Sequence, residues 1–268
     1  MKDIFGKEIA RLNEKKLWLF DMDGTIYLGK NLFEGVKELL ARITENGGRY
    51  VFITNNSSKS TKDYVKKLKG MSLTVDESNF YTSVEATASL LKEKFNDGLI
   101  YAQGTKSFIK GLKKFSLNVT EKPSKDICCV VVGFDRELTQ AKLENTCIAL
   151  LNDVPYYATN PDWVCPTEFG YVPDCGSMCF GLEKATGKAP IFIGKPQPTM
   201  INTVRKKYGV SEQDTVVLGD RIYTDIASGY NANVDTIMVL SGEATMKDYE
   251  ESEIKPTYVI NHVKELKF

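Results

Sequence analysis

The sequence predicts an α/β protein, a doubly wound parallel sheet with a second α/β unit inserted into it. Three observations carry this. At both ends of the chain, short apolar stretches such as "KLWLF", "RYVFIT" and "DTVVLG" alternate with segments of helical periodicity. Strands that are apolar on both faces belong to parallel sheets covered by helices. The middle of the chain repeats the alternation with "GLIYAQG", "DICCVVVGF" and "VPYYATN". Finally, the strands of the outer thirds run directly into charged or hydroxyl residues, which is where ligand sites of open parallel sheets form.

Element by element, "KLWLF" reads as the first buried strand. Phe33, Val36, Leu39, Leu40 and Ile43 then recur at helical spacing, and Gly47-Gly48 ends that helix. "RYVFIT" is the second strand, and "STKDYVKKLKG" is a short helix closed by Gly70. In the last third "PIFIG" and "DTVVLG" read as strands, with a helix between them from Pro198 to Gly209, and "VDTIMVLSG" follows as another strand. The inserted unit includes the helix "ELTQAKLENTCIALLND". The expected boundaries are 1–80 with 188–268 for the sheet carrying the polar strand ends, and 81–187 for the insertion.

Composition narrows the function. A chain of 268 residues with 42% hydrophobic content has enough material for two cores. Its 35 basic residues balance 35 acidic ones, so no net field draws it to nucleic acid or anionic membrane. The longest apolar run, Ile127 to Val132, is far short of a membrane span. The N-terminal "MKDIFGKEIARLNEKK" has no secretory pattern, and the six cysteines form no CxxC pair. A cytoplasmic protein with free thiols is expected. The one histidine, His262, reads as a surface residue near the C-terminus, so acid–base chemistry falls to carboxylates.

Those carboxylates stand at the strand ends. The first strand ends in Asp21-Met22-Asp23-Gly24-Thr25 and the second in Thr54-Asn55-Asn56-Ser57-Ser58. "IFIG" ends in Lys195, and "TVVLG" in Asp220, with Asp225 five residues on. Asp21, Asp23, Asp220 and Asp225 brought together exceed the charge of Lys195, and a divalent cation relieves the repulsion. Oxygen ligands without His or Cys favour Mg²⁺ over zinc. Thr54 offers a hydroxyl, and the loop after it offers N–H groups to an anion.

"DMDGT", "FITNNSS", "GKP" and "GDRIYTDI" resemble, in that order, the four motifs of the haloacid-dehalogenase-like phosphatases. "VVGFDRELT" and "ATNPDWVCPTEFGYVPDCGS" are similar to the cap of the NagD-like, 4-nitrophenylphosphatase type. The resemblance implies a Rossmann-like core with an α/β cap. It implies Asp21 as nucleophile, Asp23 as general acid and base, and Lys195 steadying Asp21 and the phosphoryl charge. Thr54 and the Asn55 backbone would bind phosphate, with Asn56 beside them. Asp21, the Asp23 carbonyl and Asp220 would hold Mg²⁺, with Asp225 ligating it or orienting Lys195. The expected partner is a small phosphorylated metabolite, met by cap residues including Cys165 and Glu168, and copies of the chain joining through the cap stay among the expectations. A phosphotransferase or phosphomutase on the same fold differs only in what attacks the aspartyl-phosphate. A phospho-acceptor module would need no second domain, and a scaffold on a dead fold would lack Asp21 or Asp23.

Overall fold

The strand Leu17–Phe20 lies at the middle of the larger sheet, with all four side chains buried. Covering each such Leu or Phe contributes on the order of 2 kcal/mol. The structure, a computed structural model, describes residues 1–9, 11–167 and 169–267. Glu168 therefore lies outside the described residues.

The chain divides into two units, Met1–Thr54 with Val65–Tyr81 and Lys195–Phe268, and Asn55–Tyr64 with Thr82–Gly194. In the first, six strands order as Tyr258–Ile260, Asp235–Val239, Thr215–Gly219, Leu17–Phe20, Arg49–Thr54 and Phe80–Thr82. Leu17–Phe20 pairs in parallel with Thr215–Gly219 on one side and Arg49–Thr54 on the other, so three carboxyl ends share one edge. The helix Val36–Glu45 turns Val36, Leu39, Leu40 and Ile43 to the interior, as their spacing predicts. Thr199–Tyr208 starts after Pro198 and stops at Gly209.

In the second unit five parallel strands order as Ile191–Phe192, Tyr156–Ala158, Ile127–Val132, Leu99–Gln103 and Asn118–Thr120. The helix Gln140–Leu150 is capped by the Thr139 hydroxyl, which accepts from the Lys142 amide. Helices and strands meet over a core that includes Tyr101, Val130, Phe134, Leu150 and Cys179.

Two expectations change. "PIFIG" belongs to the second sheet: Ile191 pairs with Tyr157 and Phe192 with Ala158. A two-residue apolar strand reads the same for either sheet, and only the pairing partner decides. Within "NPDWVCPTEFG" and the residues after it, Val164–Thr167 pairs antiparallel with Gly170–Pro173. His262 is half-buried against Phe33, ring centroids 4.9 Å apart, and burial lowers its pKa. Its Nδ1 accepts from the Lys264 amide, so it caps a turn. All six cysteines are free.

Candidate active site

Asp21, Thr54 and Asp220 stand at or just past the carboxyl ends of three adjacent strands of the first unit. Lys195, from the segment that re-enters this unit, sends its ammonium between two acids. Its Nζ lies 2.6 Å from Asp21 Oδ1 and 2.6 Å from Asp225 Oδ1, and 3.3 Å from the Ile53 carbonyl. The Lys195 side chain is 3% exposed, Asp225 1% and Asp21 16%, so Asp21 is the member that water reaches. Asp225 comes from a π-helical turn, Ile222–Ile226, and its Oδ2 accepts from the Arg221 amide at 3.2 Å. Single π turns inside helices gather at functional sites.

Carboxylate oxygens of Asp21, Asp220 and Asp225 all lie within 4.8 Å of one another. Three acids against the Lys195 ammonium leave a surplus of negative charge in a buried place. Burial, then the charges of Asp21 and Asp225, push Asp220 up to about 8. Burial also raises Asp225, to about 6, although Lys195 pulls the other way. Burial works to lower the Lys195 pKa, but Asp21 and Asp225 outweigh it and the ammonium is held above its ordinary value. Without a cation the cluster therefore keeps protons that free carboxylates would lose. An all-oxygen, acid-rich set fits a hard divalent ion such as Mg²⁺.

Residues that the motif reading leaves out support the acids. The Thr25 hydroxyl donates to Asp220 Oδ1 at 3.3 Å, and the Glu243 amide donates to Asp220 Oδ2 at 2.8 Å. The Ser241 hydroxyl donates to the Gly24 carbonyl at 2.8 Å, tying the turn after the first strand to the loop after Asp235–Val239. Gly24 has φ +83°, and a side chain there would meet the Asp220 carboxyl carbon at 2.8 Å. At Gly242 a side chain would collide with the same carboxylate. The signal for this loop was present, since "VDTIMVLSG" also ends at this sheet edge, but Ser, Gly and Glu after a strand suggest an ordinary turn.

Asp23 stands apart from the three clustered carboxylates. Its side chain is 47% exposed, accepts from the Tyr27 hydroxyl at 2.8 Å and lies 3.6 Å from Lys67 Nζ. Thr54 is buried at its strand end.

Asn55, Asn56 and Cys165 belong to the second unit. The Asn55 amide donates to both oxygens of buried Asp162 at 3.2 Å, and the Asn55 carbonyl accepts from Asn160 at 2.8 Å and Ser83 at 2.6 Å. Asp162 thereby anchors Asn55. The Asn56 side-chain carbonyl accepts from the Ser58 amide and hydroxyl, while its amide approaches Cys165 Sγ at 3.9 Å. Trp163 is 57% exposed, with an edge contact to Phe180.

Comparison with known proteins agrees with this arrangement. A haloacid dehalogenase-like hydrolase model matches residues 18–118, and a second model, described as HAD-hydrolase-like, matches 192–266. An acid sugar phosphatase of Staphylococcus aureus is 30% identical over 254 residues, covering 95% of this chain and 97% of its own. A crystal structure of a 4-nitrophenylphosphatase from Thermotoga maritima superposes with a TM-score of 0.90 at 38% identity, covering 95% of this chain and 97% of that one. A glycerol phosphate phosphatase from Mycobacterium tuberculosis, solved in complex with magnesium, superposes with a TM-score of 0.89 at 27% identity, covering 99% and 78%. The chain belongs to the haloacid-dehalogenase-like hydrolases, in their NagD-like, 4-nitrophenylphosphatase branch. It is a phosphoric monoester hydrolase.

Proposed function

We propose that the chain is a Mg²⁺-dependent phosphatase of small phosphomonoesters that works through a phosphorylated Asp21. The observation that carries this is the Lys195 ammonium held 2.6 Å from both Asp21 and Asp225, with Asp220 beside them at the sheet edge. Lys195 holds and aims the Asp21 carboxylate, which a carboxylate nucleophile needs. Asp21 attacks phosphorus while the ester P–O bond breaks, and its electron pair passes to the leaving oxygen. Asp23 gives that oxygen a proton. Water then attacks phosphorus as Asp23 takes back a proton, and the bond to Asp21 breaks to release inorganic phosphate. Thr54, with N–H groups following it, binds the phosphoryl oxygens. Asp21, Asp220 and the Asp23 carbonyl would hold Mg²⁺, which when bound neutralises phosphoryl charge, and Asp225 serves to orient Lys195.

The relatives are named for sugar phosphate, 4-nitrophenyl phosphate and glycerol phosphate, all small monoesters. On this proposal the first unit carries the chemistry, and the second, the expected cap, selects the ester. No helix among the described residues is long and apolar enough to cross a membrane. The test is rapid-quench mass spectrometry of enzyme turning over 4-nitrophenyl phosphate with Mg²⁺. Phosphate should appear on the peptide holding Asp21, and label on Thr25 or Thr54 instead would overturn the mechanism.

A further inference from the structure

Asp23 is the one proposed catalytic acid that sits on an exposed turn. A carboxyl on such a turn samples several rotamers, whereas proton delivery needs an oxygen about 3 Å from its target. Two residues outside the motifs restrict it. Tyr27, fully buried, donates its hydroxyl to Asp23 Oδ2 at 2.8 Å. Its placement is local: the Gly24 amide donates to the Tyr27 carbonyl at 2.9 Å, closing the turn that holds Asp23. Lys67, from the helix Thr61–Gly70, brings its Nζ to 3.6 Å from the other oxygen, Oδ1. The same Nζ lies 3.7 Å from the centre of the Tyr27 ring.

The three side chains form one unit. The Tyr27 face seats the Lys67 cation, the Tyr27 hydroxyl occupies Asp23 Oδ2, and the cation marks the side of Oδ1. A cation over an aromatic face is held more firmly than one in a lone surface ion pair, which is worth little. With Oδ2 committed to the hydroxyl, Oδ1 is the oxygen left to exchange a proton.

We infer that Tyr27 and Lys67 are positioning residues for Asp23, fixing its carboxyl so that Oδ1 passes the proton to the departing oxygen. The inference rests on the proposed acid role of Asp23. As the P–O bond breaks, its electron pair goes to the leaving oxygen and the proton moves there from Oδ1. The carboxylate left behind keeps the Tyr27 hydroxyl on Oδ2 and the Lys67 ammonium beside Oδ1.

The experiment compares kcat/KM on two aryl esters with the full chain and Mg²⁺. The 4-nitrophenolate leaves with little help from a proton, whereas phenolate needs it. The ratio between the esters is unaffected by any fraction of misfolded enzyme, which lowers both values equally. Asp23→Asn should lose at least about tenfold more on phenyl phosphate than on 4-nitrophenyl phosphate. Tyr27→Phe and Lys67→Met should each lose at least about threefold more on phenyl phosphate, and Lys67→Arg should recover part of that. Neither should change the ratio further in the Asp23→Asn background, because both act through that carboxyl. Equal losses on the two esters, or an extra ratio change in the Asp23→Asn background, would overturn the positioning role. An unchanged ratio in Asp23→Asn itself would remove the acid assignment first, and the two failures are thus distinct.

Discussion

Both units are parallel sheets with helices, yet they treat the charged residues near their strand ends in opposite ways. In the second unit these groups are mutually satisfied. Asp135, just past the strand Ile127–Val132, is fully buried and paired with Lys142 Nζ at 2.8 Å. Asp162 accepts twice from Asn55. In the first unit Asp21 and Asp225 share the Lys195 ammonium with Asp220 close by, and burial plus mutual repulsion raise Asp220 and Asp225. The difference teaches that reactivity lies where buried charge is left unbalanced. A paired carboxylate holds a loop, and on the proposed function the unbalanced cluster is the one that would hold a cation and a phosphoryl group.

The sharpest way to break this contrast is to neutralise one acid in each unit. Asp21→Asn should lower phosphate release from 4-nitrophenyl phosphate by about three orders of magnitude or more, since the two-step route loses its nucleophile. Retention of a tenth of the wild-type rate, roughly 1.4 kcal/mol of lost transition-state stabilisation, would contradict the assignment.

Metal removal comes next. Excess EDTA should abolish turnover and Mg²⁺ should restore it, and full activity in EDTA would sink the metal proposal. The pH dependence has a definite sign. Asp220 at about 8 and Asp225 at about 6 are raised above an unfolded carboxyl near 3.8. Their protonated forms favour the metal-free fold below the unfolded value, and that contribution is lost as pH rises through about 6 and then 8. Mg²⁺ takes up the ionised forms, so its stabilisation should grow over the same window. Thermal melts at about pH 6 and about pH 8.5, with Mg²⁺ and with EDTA, should show the larger Mg²⁺ shift at the higher pH. A larger shift at the lower pH would contradict the acidic-cluster account.

In the second unit, Asp135→Asn should act on stability instead of chemistry. Losing a buried, charge-assisted bond to Lys142 should cost about 2 kcal/mol and lower the melting temperature by several degrees. The folded fraction should keep its rate on 4-nitrophenyl phosphate within about threefold, and a loss comparable with Asp21→Asn would erase the contrast. The smallest effect is expected from Cys165→Ser. It should shift preference among sugar, glycerol and nucleoside phosphates by a few-fold, with 4-nitrophenyl phosphate nearly unchanged. An equal loss on every ester would mean that Cys165 supports the hairpin Val164–Thr167 with Gly170–Pro173 instead of selecting substrate.

The sequence by itself determined that there is a parallel sheet with Asp21, Thr54 and Asp220 at strand ends on one edge, and the structure makes those strands adjacent. The reason is local: apolar runs too short for anything but buried strands stop at polar residues, and parallel pairing sends those stops to one edge. The motif "GDRIYTDI" likewise carried Asp225. Tertiary structure alone decided which sheet "PIFIG" joins, because two apolar residues pair equally well with either neighbour until the rest of the chain is placed. It also decided that Asp162 holds Asn55, that Ser241 to Glu243 close around Asp220, and that Lys67 settles over Tyr27 beside Asp23. Such a hydrogen bond or a cation over a ring forms between groups tens to hundreds of residues apart, and no periodicity in the sequence records such a distance.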